Sequence, residues 1–284
     1  MTRFQNTRMS LSPAEFNYIR QLVNNHSAIA LDETKEYLVE MRLAAVIRKL
    51  GIASISELIL KLQSGTDEKL RLLVGESMTT NETSFFRDIH PFEALKSDVM
   101  PDLFKRRQTE RTLSIWCAAS SSGQEPYSIA MILRDHFPEL LGWKLDFLAT
   151  DISEQVLTQA REGRYNQLEV NRGLSSSHLQ NHFQADGRQW VVNNQLRKMI
   201  RFESMNLNER WLPMPPLDLV FIRNVLIYFG VDTRKKILER IGTMMRPDGY
   251  LFVGASETPL NLVSCFEKLP VGKTVCYRKT STLA

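Results

Sequence analysis

The stretch LSIWCAASSSGQEPYSIAMIL, Leu113–Leu133, decides how the rest of the chain is read. Leu113–Cys117 is a short apolar run of buried-strand character. It enters the small-residue loop Ala118-Ala119-Ser120-Ser121-Ser122-Gly123, and a helix is expected from about Glu125 to Phe137. Open α/β sheets bind ligands outside the carboxyl ends of their strands. Small residues at such an end let the backbone approach a ligand closely. The loop is not G-x-G-x-x-G, so a dinucleotide fingerprint is a poor match.

The same alternation continues downstream. Lys144–Thr150 reads as a second strand ending in Asp151, and Ser153 caps a helix to about Glu162. Ile200–Met205 and Leu217–Arg223 are further strands. A helix from Asp232 to Arg246 turns through Pro247-Asp248-Gly249 into the strand Tyr250–Gly254. Phe266–Leu269 and Thr274–Lys279 flank the turn Val271-Gly272-Lys273. The pattern predicts an α/β fold, a mainly parallel sheet covered by helices with an antiparallel edge hairpin. One piece interrupts it at about 164–200: a helical Ser175–Phe183, the turn Ala185-Asp186-Gly187, then Gln189–Val192 and Leu196–Ile200 joined around Asn193-Asn194. That reads as a small inserted β-subdomain, a place that often carries recognition.

Upstream the chain is helical. Ser12-Pro13-Ala14-Glu15 combines an N-cap, a proline at the first helical position and an acid in the first turn. Thr34–Leu50 carries the apolar stripe Val39, Leu43, Val46, Ile47 and Leu50, stopped by Gly51. Ser54–Gln63 and Thr66–Gly75 are shorter helices. Pro91–Arg107 is another, followed by the basic stretch Lys105–Arg111, which reads as a domain linker or equally as a solvated helix end. The domains expected are a helical one over 1–90, a linker helix and basic linker over 91–111, and the α/β domain over 112–284.

The 284 residues carry 36 Lys plus Arg against 32 Asp plus Glu, and a net charge of +4 does not by itself imply nucleic acid or a membrane surface. Hydrophobic residues at 43% exclude wholesale disorder. Cys117, Cys265 and Cys276 are odd in number and form no CxxC pair, so neither a disulfide framework nor structural zinc is expected and a reducing cytoplasm fits. The start MTRFQNTRMSLSPAEF holds no apolar leader, and no run of about 18 apolar residues occurs to span a membrane. His178 and His182 stand four apart but lack the glutamate of H-E-x-x-H and a third ligand, so they read as surface histidines and no metal is expected. Asp151 falls 28 residues after Gly123, where a carboxylate can accept both hydroxyls of a ribose. Spacing alone leaves that reading and a plain helix-capping acid equally open.

Longer motifs carry more. Trp116–Ala130 (WCAASSSGQEPYSIA), Thr79–Asp88 (TTNETSFFRD), Phe221–Phe229 (FIRNVLIYF) and Arg246–Glu257 (RPDGYLFVGASE) resemble, in order and spacing, the chemotaxis-receptor methyltransferases of the CheR family. The resemblance runs from about Ser12 to Arg278. It implies a small helical N-terminal domain and a Rossmann-like class I methyltransferase domain with an inserted β-subdomain. It also implies transfer of a methyl group from S-adenosylmethionine to glutamate side chains on the helical cytoplasmic domain of chemoreceptors.

Residue by residue, the resemblance places Asn81, Thr83 and Arg87 over the cofactor, with Arg87 on its methionyl carboxylate. Glu125 matches the acid near the amino group, and Asp151 the ribose acid. Asn206 and Leu207 fall where adenine is held. Arg223, Asn224 and Tyr228 lie beside the reacting sulfonium, with Arg223 and Tyr228 as candidates for orienting the acceptor. Gln124 stands where relatives often carry an acid. Without the resemblance, Arg87 reads as a surface arginine, Glu125 as an acid favouring a helix N-terminus, and Tyr228 as a core residue.

On the second helix Lys35, Arg42 and Lys49 recur every seven residues and Arg48 faces outward. A basic ridge is usually a solvated face. The family meets its receptor with this helix, which implies docking by Arg42 and Arg48 with Lys35 secondary. The short turns of the insertion suggest an enzyme independent of a receptor pentapeptide tether. A monomer without nucleic-acid partners is expected. A nucleic-acid methyltransferase is disfavoured because Pro213-Met214-Pro215-Pro216-Leu217 lacks both ends of an Asp/Asn-Pro-Pro-Tyr motif. A non-enzymatic sensor is disfavoured by Arg87, Glu125, Asp151 and Tyr228.

Overall fold

The computed structural model describes residues 11–280, which form two compact units. Residues 1–10, part of the start read above as lacking an apolar leader, lie outside the described residues. Among the described residues no helix is long and apolar enough to cross a membrane.

The smaller unit runs to Thr80 and takes in Tyr228–Gly230. Its helices are Pro13–Ser27, Glu36–Leu50, Ile55–Gln63 and Glu68–Ser77. Ser12 and Glu15 form a reciprocal capping box, so two of the helix's orphan N–H groups are satisfied. The second helix begins with a 3-10 turn, Glu33–Lys35, and buries Val39, Leu43, Val46 and Ile47. Leu50 of the expected stripe is 43% exposed, because it ends the last turn. The fourth helix is capped by Asp67 rather than begun at Thr66: the Asp67 side chain accepts the Leu70 N–H at 3.0 Å. Tyr228–Gly230 is held by a bridge between Ile29 and Phe229 and by the Ala30 N–H donating to the Tyr228 carbonyl at 2.8 Å.

Among the described residues the larger unit holds ten strands: β1 Thr112–Ala118, β2 Lys144–Asp151, β3 Arg164–Asn166, β4 Phe183–Asp186, β5 Gln189–Val192, β6 Arg201–Ser204, β7 Leu217–Ile222, β8 Met245–Val253, β9 Phe266–Val271 and β10 Thr274–Lys279. Seven form one sheet in the order β6-β2-β1-β7-β8-β10-β9. β6, β2, β1, β7 and β8 pair in parallel, while β10 runs antiparallel to both β8 and β9. This is the expected Rossmann-like arrangement with its edge hairpin. β1 and β7 are buried along almost their whole length, as strands covered on both faces must be.

β3, β4 and β5 make the separate small sheet of the insertion. Its hairpin pairs Phe183–Asp186 with Gln189–Val192 across Gly187, whose φ of 62° suits the turn. The expected partner strand Leu196–Ile200 is absent. Asn194–Arg197 is instead a short helix, and the Asn193 amide donates to the Asn181 carbonyl at 2.9 Å. Of the two histidines read as surface residues, His182 is buried and His178 is half-buried. His178 stacks on Phe86 with centroids 4.6 Å apart, and buried His182 contacts Asp135 at 2.9 Å. No group of metal-ligating side chains occurs among the described residues, and all three cysteines are free thiols.

The helical run 90–107 (His90–Ala94, a π turn Leu95–Val99, and Met100–Arg107) belongs to this larger unit. Phe92, Leu95, Met100 and Leu103 are buried in the sheet's core. The division between units therefore falls after Thr80, ahead of the boundary expected at residue 90. Within the basic stretch, Arg107 is built into the fold while its neighbours are exposed. Arg107, buried, donates to Asp218 at 2.6 Å and to both oxygens of Asp248 at 2.6 and 3.0 Å. Asp218 also accepts the Ser114 N–H at 2.9 Å. These contacts join the helix to the amino-terminal ends of β1, β7 and β8.

Candidate functional site

The opposite, carboxyl-terminal edge of the sheet gathers most of the residues singled out in the sequence. β1 leaves the sheet through a loop in which Ala119, Ser121 and Gly123 have φ of 54°, 50° and 93°. Left-handed backbone at non-glycine residues costs of order 1–3 kcal/mol each and clusters where function demands it. Two devices hold the loop. The Tyr165 hydroxyl donates to the Ser122 carbonyl at 2.6 Å. A Cβ on Gly123 would lie 3.0 Å from the Ala160 Cβ and 3.2 Å from the Tyr165 hydroxyl, so the position requires glycine for space as well as for φ.

Asp151, at the end of β2, is buried beside this loop. One of its oxygens accepts the Ser121 N–H at 2.8 Å and the other the Ser153 N–H at 3.0 Å. One carboxylate thus braces both the loop after β1 and the turn that leads from β2 into the next helix. The Ser121 hydroxyl in turn donates to the Asn81 carbonyl at 3.0 Å, bringing Asn81 to the same loop. The Ser120 hydroxyl is buried without a hydrogen-bond partner among the described residues. Asn206 and Leu207 follow β6: the Asn206 amide donates to Glu209 at 3.0 Å, and buried Leu207 offers its carbonyl to the Trp211 indole at 3.0 Å.

Between β1 and β7 lies a chain of charges. Arg223, one residue past β7, has a side chain only 1% exposed. One terminal nitrogen donates to Glu125 at 2.8 Å; the other donates to Asp88 at 2.7 Å and to the Arg87 carbonyl at 3.0 Å. Its guanidinium carbon sits 5.6 Å from the Phe92 ring centroid. Burial pushes the Glu125 carboxyl up from its usual range, outweighing the attraction of Arg223 and, more weakly, of Arg87. Burial likewise pushes the Cys117 thiol well up, which makes it an inert core residue.

The segment 81–88 is shaped around this chain. Phe86 and Asp88 have φ of 48° and 65°. The Phe86 N–H donates to the Ser128 hydroxyl at 2.9 Å, and that hydroxyl donates to the Gln124 carbonyl at 2.7 Å. Arg87 donates to the Glu82 carbonyl at 2.8 Å, and Thr83 is half-buried. Gly173, φ 96°, packs its Cα against the Phe85 carbonyl so closely that no side chain fits. The insertion thereby braces the segment from outside.

Asp88 and Glu257 were not singled out in the sequence. Glu257 is buried, and its carboxylate accepts three backbone N–H groups: Gly254 at 2.6 Å, Asn224 at 2.8 Å and Ile227 at 3.1 Å. The available signal was the Gly-Ala-Ser-Glu ending of the strand β8 motif, an acid three residues after a glycine. A cavity of about 500 Å³ adjoins, bordered by Asp88, Arg223, Glu257, Lys268, Lys273 and Tyr277 among others.

The remaining predicted residues fall in the smaller unit. Arg42 is half-buried and tied down, its guanidinium donating to the Met78 carbonyl and, at 2.7 Å, to the Thr80 hydroxyl. Lys35 pairs with Asp32 at 3.4 Å, while Arg48 and Lys49 are exposed. Tyr228 ends a 3-10 turn and groups with this unit.

A mostly parallel seven-stranded sheet with an antiparallel edge hairpin, a small-residue turn after β1 and a buried acid ending β2 defines the Rossmann-like methyltransferase class. Comparison with known families narrows it. Residues 81–275 match the SAM-binding domain of the CheR methyltransferases, and residues 14–75 match their all-alpha domain. The chain belongs to the CheR methyltransferase family. It is 40% identical to chemotaxis protein methyltransferase 1 of Pseudomonas aeruginosa, over 95% of this chain and 99% of that protein. Identity is 38% to chemotaxis protein methyltransferase Cher2 of Pseudomonas putida, over 95% and 99%. It is 36% to the chemotaxis protein methyltransferase of Vibrio parahaemolyticus, over 96% and 99%.

Proposed function

We propose that the protein transfers a methyl group from S-adenosylmethionine to the side-chain carboxylates of glutamates on the cytoplasmic helices of chemoreceptors, forming methyl esters. The observation that carries this reading is the pair of acids, half-buried Glu125 and buried Asp151, at the edge of the sheet within the matched SAM-binding domain.

The donor set fits the cofactor's chemistry. Asp151 supplies an acceptor carboxylate for the ribose hydroxyls, and the Ser120 hydroxyl is a buried group without a hydrogen-bond partner among the described residues. Glu125 supplies a carboxylate for the amino group, Arg87 a cation for the methionyl carboxylate, and Leu207 with Asn206 an apolar and a polar surface for adenine. Asn81, Thr83 and Asn224 complete the surroundings. Bound there, S-adenosylmethionine supplies a methyl group already activated on a cationic sulfur.

A glutamate acceptor is ionised at neutral pH, with an ordinary pKa of about 4.3. No residue has to remove a proton, and orientation is the main task left to the protein. Arg223 acts through Glu125 and the 87–88 segment, since both its terminal nitrogens are engaged there. Tyr228 orients the acceptor carboxylate. Tyr228→Phe should lower turnover while leaving cofactor affinity unchanged.

Receptor recognition falls to the helix Glu36–Leu50. Arg48, exposed, is the main docking cation, with Lys35 secondary; Arg42 contributes charge while bracing its own unit. Arg48→Glu should reduce receptor methylation severalfold with cofactor binding intact. The insertion's tight turn at Gly187 supports action without a receptor pentapeptide tether, and the chemistry belongs to the cytoplasm.

The test is incubation with S-adenosylmethionine labelled in the methyl group and receptor-containing membranes. Label on the receptor that mild alkali releases as methanol is the expected result. Label on nucleic acid, or alkali-stable label on protein, would overturn it.

A further inference from the structure

We infer that Glu257 is a positioning residue for methyl transfer, its carboxylate clamping the turn after β7 in the conformation that presents Asn224 to the reacting centre. The inference rests on the methyltransferase reading above and adds to it a residue outside the donor set.

Three observations meet at this side chain. Its two oxygens receive three backbone N–H groups from two separate chain segments: Gly254 at the end of β8, and Asn224 and Ile227 in the turn after β7. Hydrogen bonds to an ionised acceptor are the stronger kind, and a buried N–H left without one is penalised. The turn so held is strained, for Asn224 has φ of 59°, a conformation that persists only when its surroundings over-determine it. The fit also admits no spare volume. A Cβ on Gly254 would lie 2.6 Å from the Glu257 Oε2, 2.8 Å from the Asn224 nitrogen and 2.8 Å from the Asn224 side-chain nitrogen. Gly254, Glu257 and Asn224 therefore form one lock.

Among the hydrogen bonds and ion pairs described for Glu257, every donor is a backbone N–H. A salt bridge would fix a side chain, whereas three N–H groups fix a backbone, and the backbone fixed is the one that carries Arg223 and Asn224 away from β7. Most of the cofactor's candidate contacts, Asp151, Glu125, Asn206 and Leu207, lie on other segments. Loosening the lock should consequently disturb turnover more than cofactor affinity.

Glu257→Gln keeps the shape but turns an NH₂ group against backbone donors. Gly254→Ala attacks the same lock from the other side, with the carboxylate retained. Each variant should lower kcat about tenfold or more while changing S-adenosylhomocysteine affinity, by calorimetry, no more than about threefold. The double variant should be no worse than the poorer single one, because residues acting as a unit are non-additive. Amide hydrogen exchange gives a readout independent of activity: the Asn224, Ile227 and Gly254 N–H groups should exchange at least about tenfold faster in Glu257→Gln, with β1 and β7 amides unchanged. Turnover within about twofold of the wild type, multiplicative losses in the double variant, or kcat, affinity and melting falling together would each overturn the inference. If wild-type protein methylates no receptor, the functional reading fails instead, and unchanged exchange at the three amides would still refute the clamp.

Discussion

The two ends of β7 each bury an arginine between two carboxylates, and the surroundings differ. Near the start of the strand, Arg107 lies between Asp218 and Asp248, where the backbone departs from regularity by one register shift of β7 against β8, between Leu217 and Leu219, and by a φ of 50° at Arg111. Just past its end, Arg223 lies between Glu125 and Asp88, amid residues with φ of 48°, 65°, 54°, 50° and 59° at Phe86, Asp88, Ala119, Ser121 and Asn224. The Arg107 cluster holds its acid Asp248 below the usual carboxylate range, because the guanidinium's hydrogen bonds outweigh burial. At the other end burial outweighs the guanidinium, and Glu125 is pushed up. The first cluster is arranged for its own stability. The second keeps a carboxylate in a site that disfavours its charge, a condition typical of sites awaiting a charged ligand.

The comparison can be broken most forcefully at Arg107. Arg107→Ala leaves Asp218, whose side chain is 1% exposed, with the Ser114 N–H and with Arg246 at 3.3 Å, and should cost about 3 kcal/mol in urea unfolding, the low end for one partner removed from a buried pair. Cofactor affinity of the molecules that remain folded should not change. A variant that unfolds at the wild-type urea midpoint would remove the Arg107 cluster from the account of stability.

Asp151→Asn is expected to act in the opposite sense. An amide oxygen and an NH₂ group cannot accept both the Ser121 and Ser153 N–H groups as the two carboxylate oxygens do, so the loop after β1 loosens and the proposed ribose acceptor is lost. S-adenosylhomocysteine affinity should fall by about 1.5–3 kcal/mol, the range for hydrogen bonds to charged groups. Calorimetry reads the change, which should exceed any drop in unfolding free energy.

The smallest effect is in the acid limb of stability. Asp248 is depressed when folded, so its contribution is complete above the ordinary aspartate pKa of about 3.9 and is lost as pH falls through the lower folded value. Asp248→Asn should be less stable than wild type at neutral pH and lose less on acidification below about pH 4. Parallel melting curves from pH 7 to pH 2 would contradict this sharpening of the comparison.

The site end was far more legible in the sequence than the stabilising end, for a physical reason. Ala118–Gly123 and Asp151 stand out locally, as small residues after an apolar strand and an acid after the next one. The partners of Arg107 lie 111 and 141 residues away, so nothing near Lys105–Arg111 distinguishes a buried ion network from a solvated linker. The same distance hid Asp88 as the partner of Arg223. In the insertion, Asn193-Asn194 carried the composition of a hairpin turn, but the left-handed position was filled by Gly187, and the asparagines led into a helical turn. Burial was the other hidden quantity: His178 and His182 look like surface histidines until Phe86 and Asp135 are brought against them. Local chemistry shows through a sequence; long-range pairing and burial do not.

Titration of S-adenosylhomocysteine into Glu125→Gln and Asp248→Asn, side by side, tests the division of labour most directly. Each variant replaces one carboxylate of a buried arginine cluster by its neutral isostere. The account predicts at least about tenfold weaker binding for Glu125→Gln and wild-type binding for Asp248→Asn. Equal affinities in the two variants would contradict it.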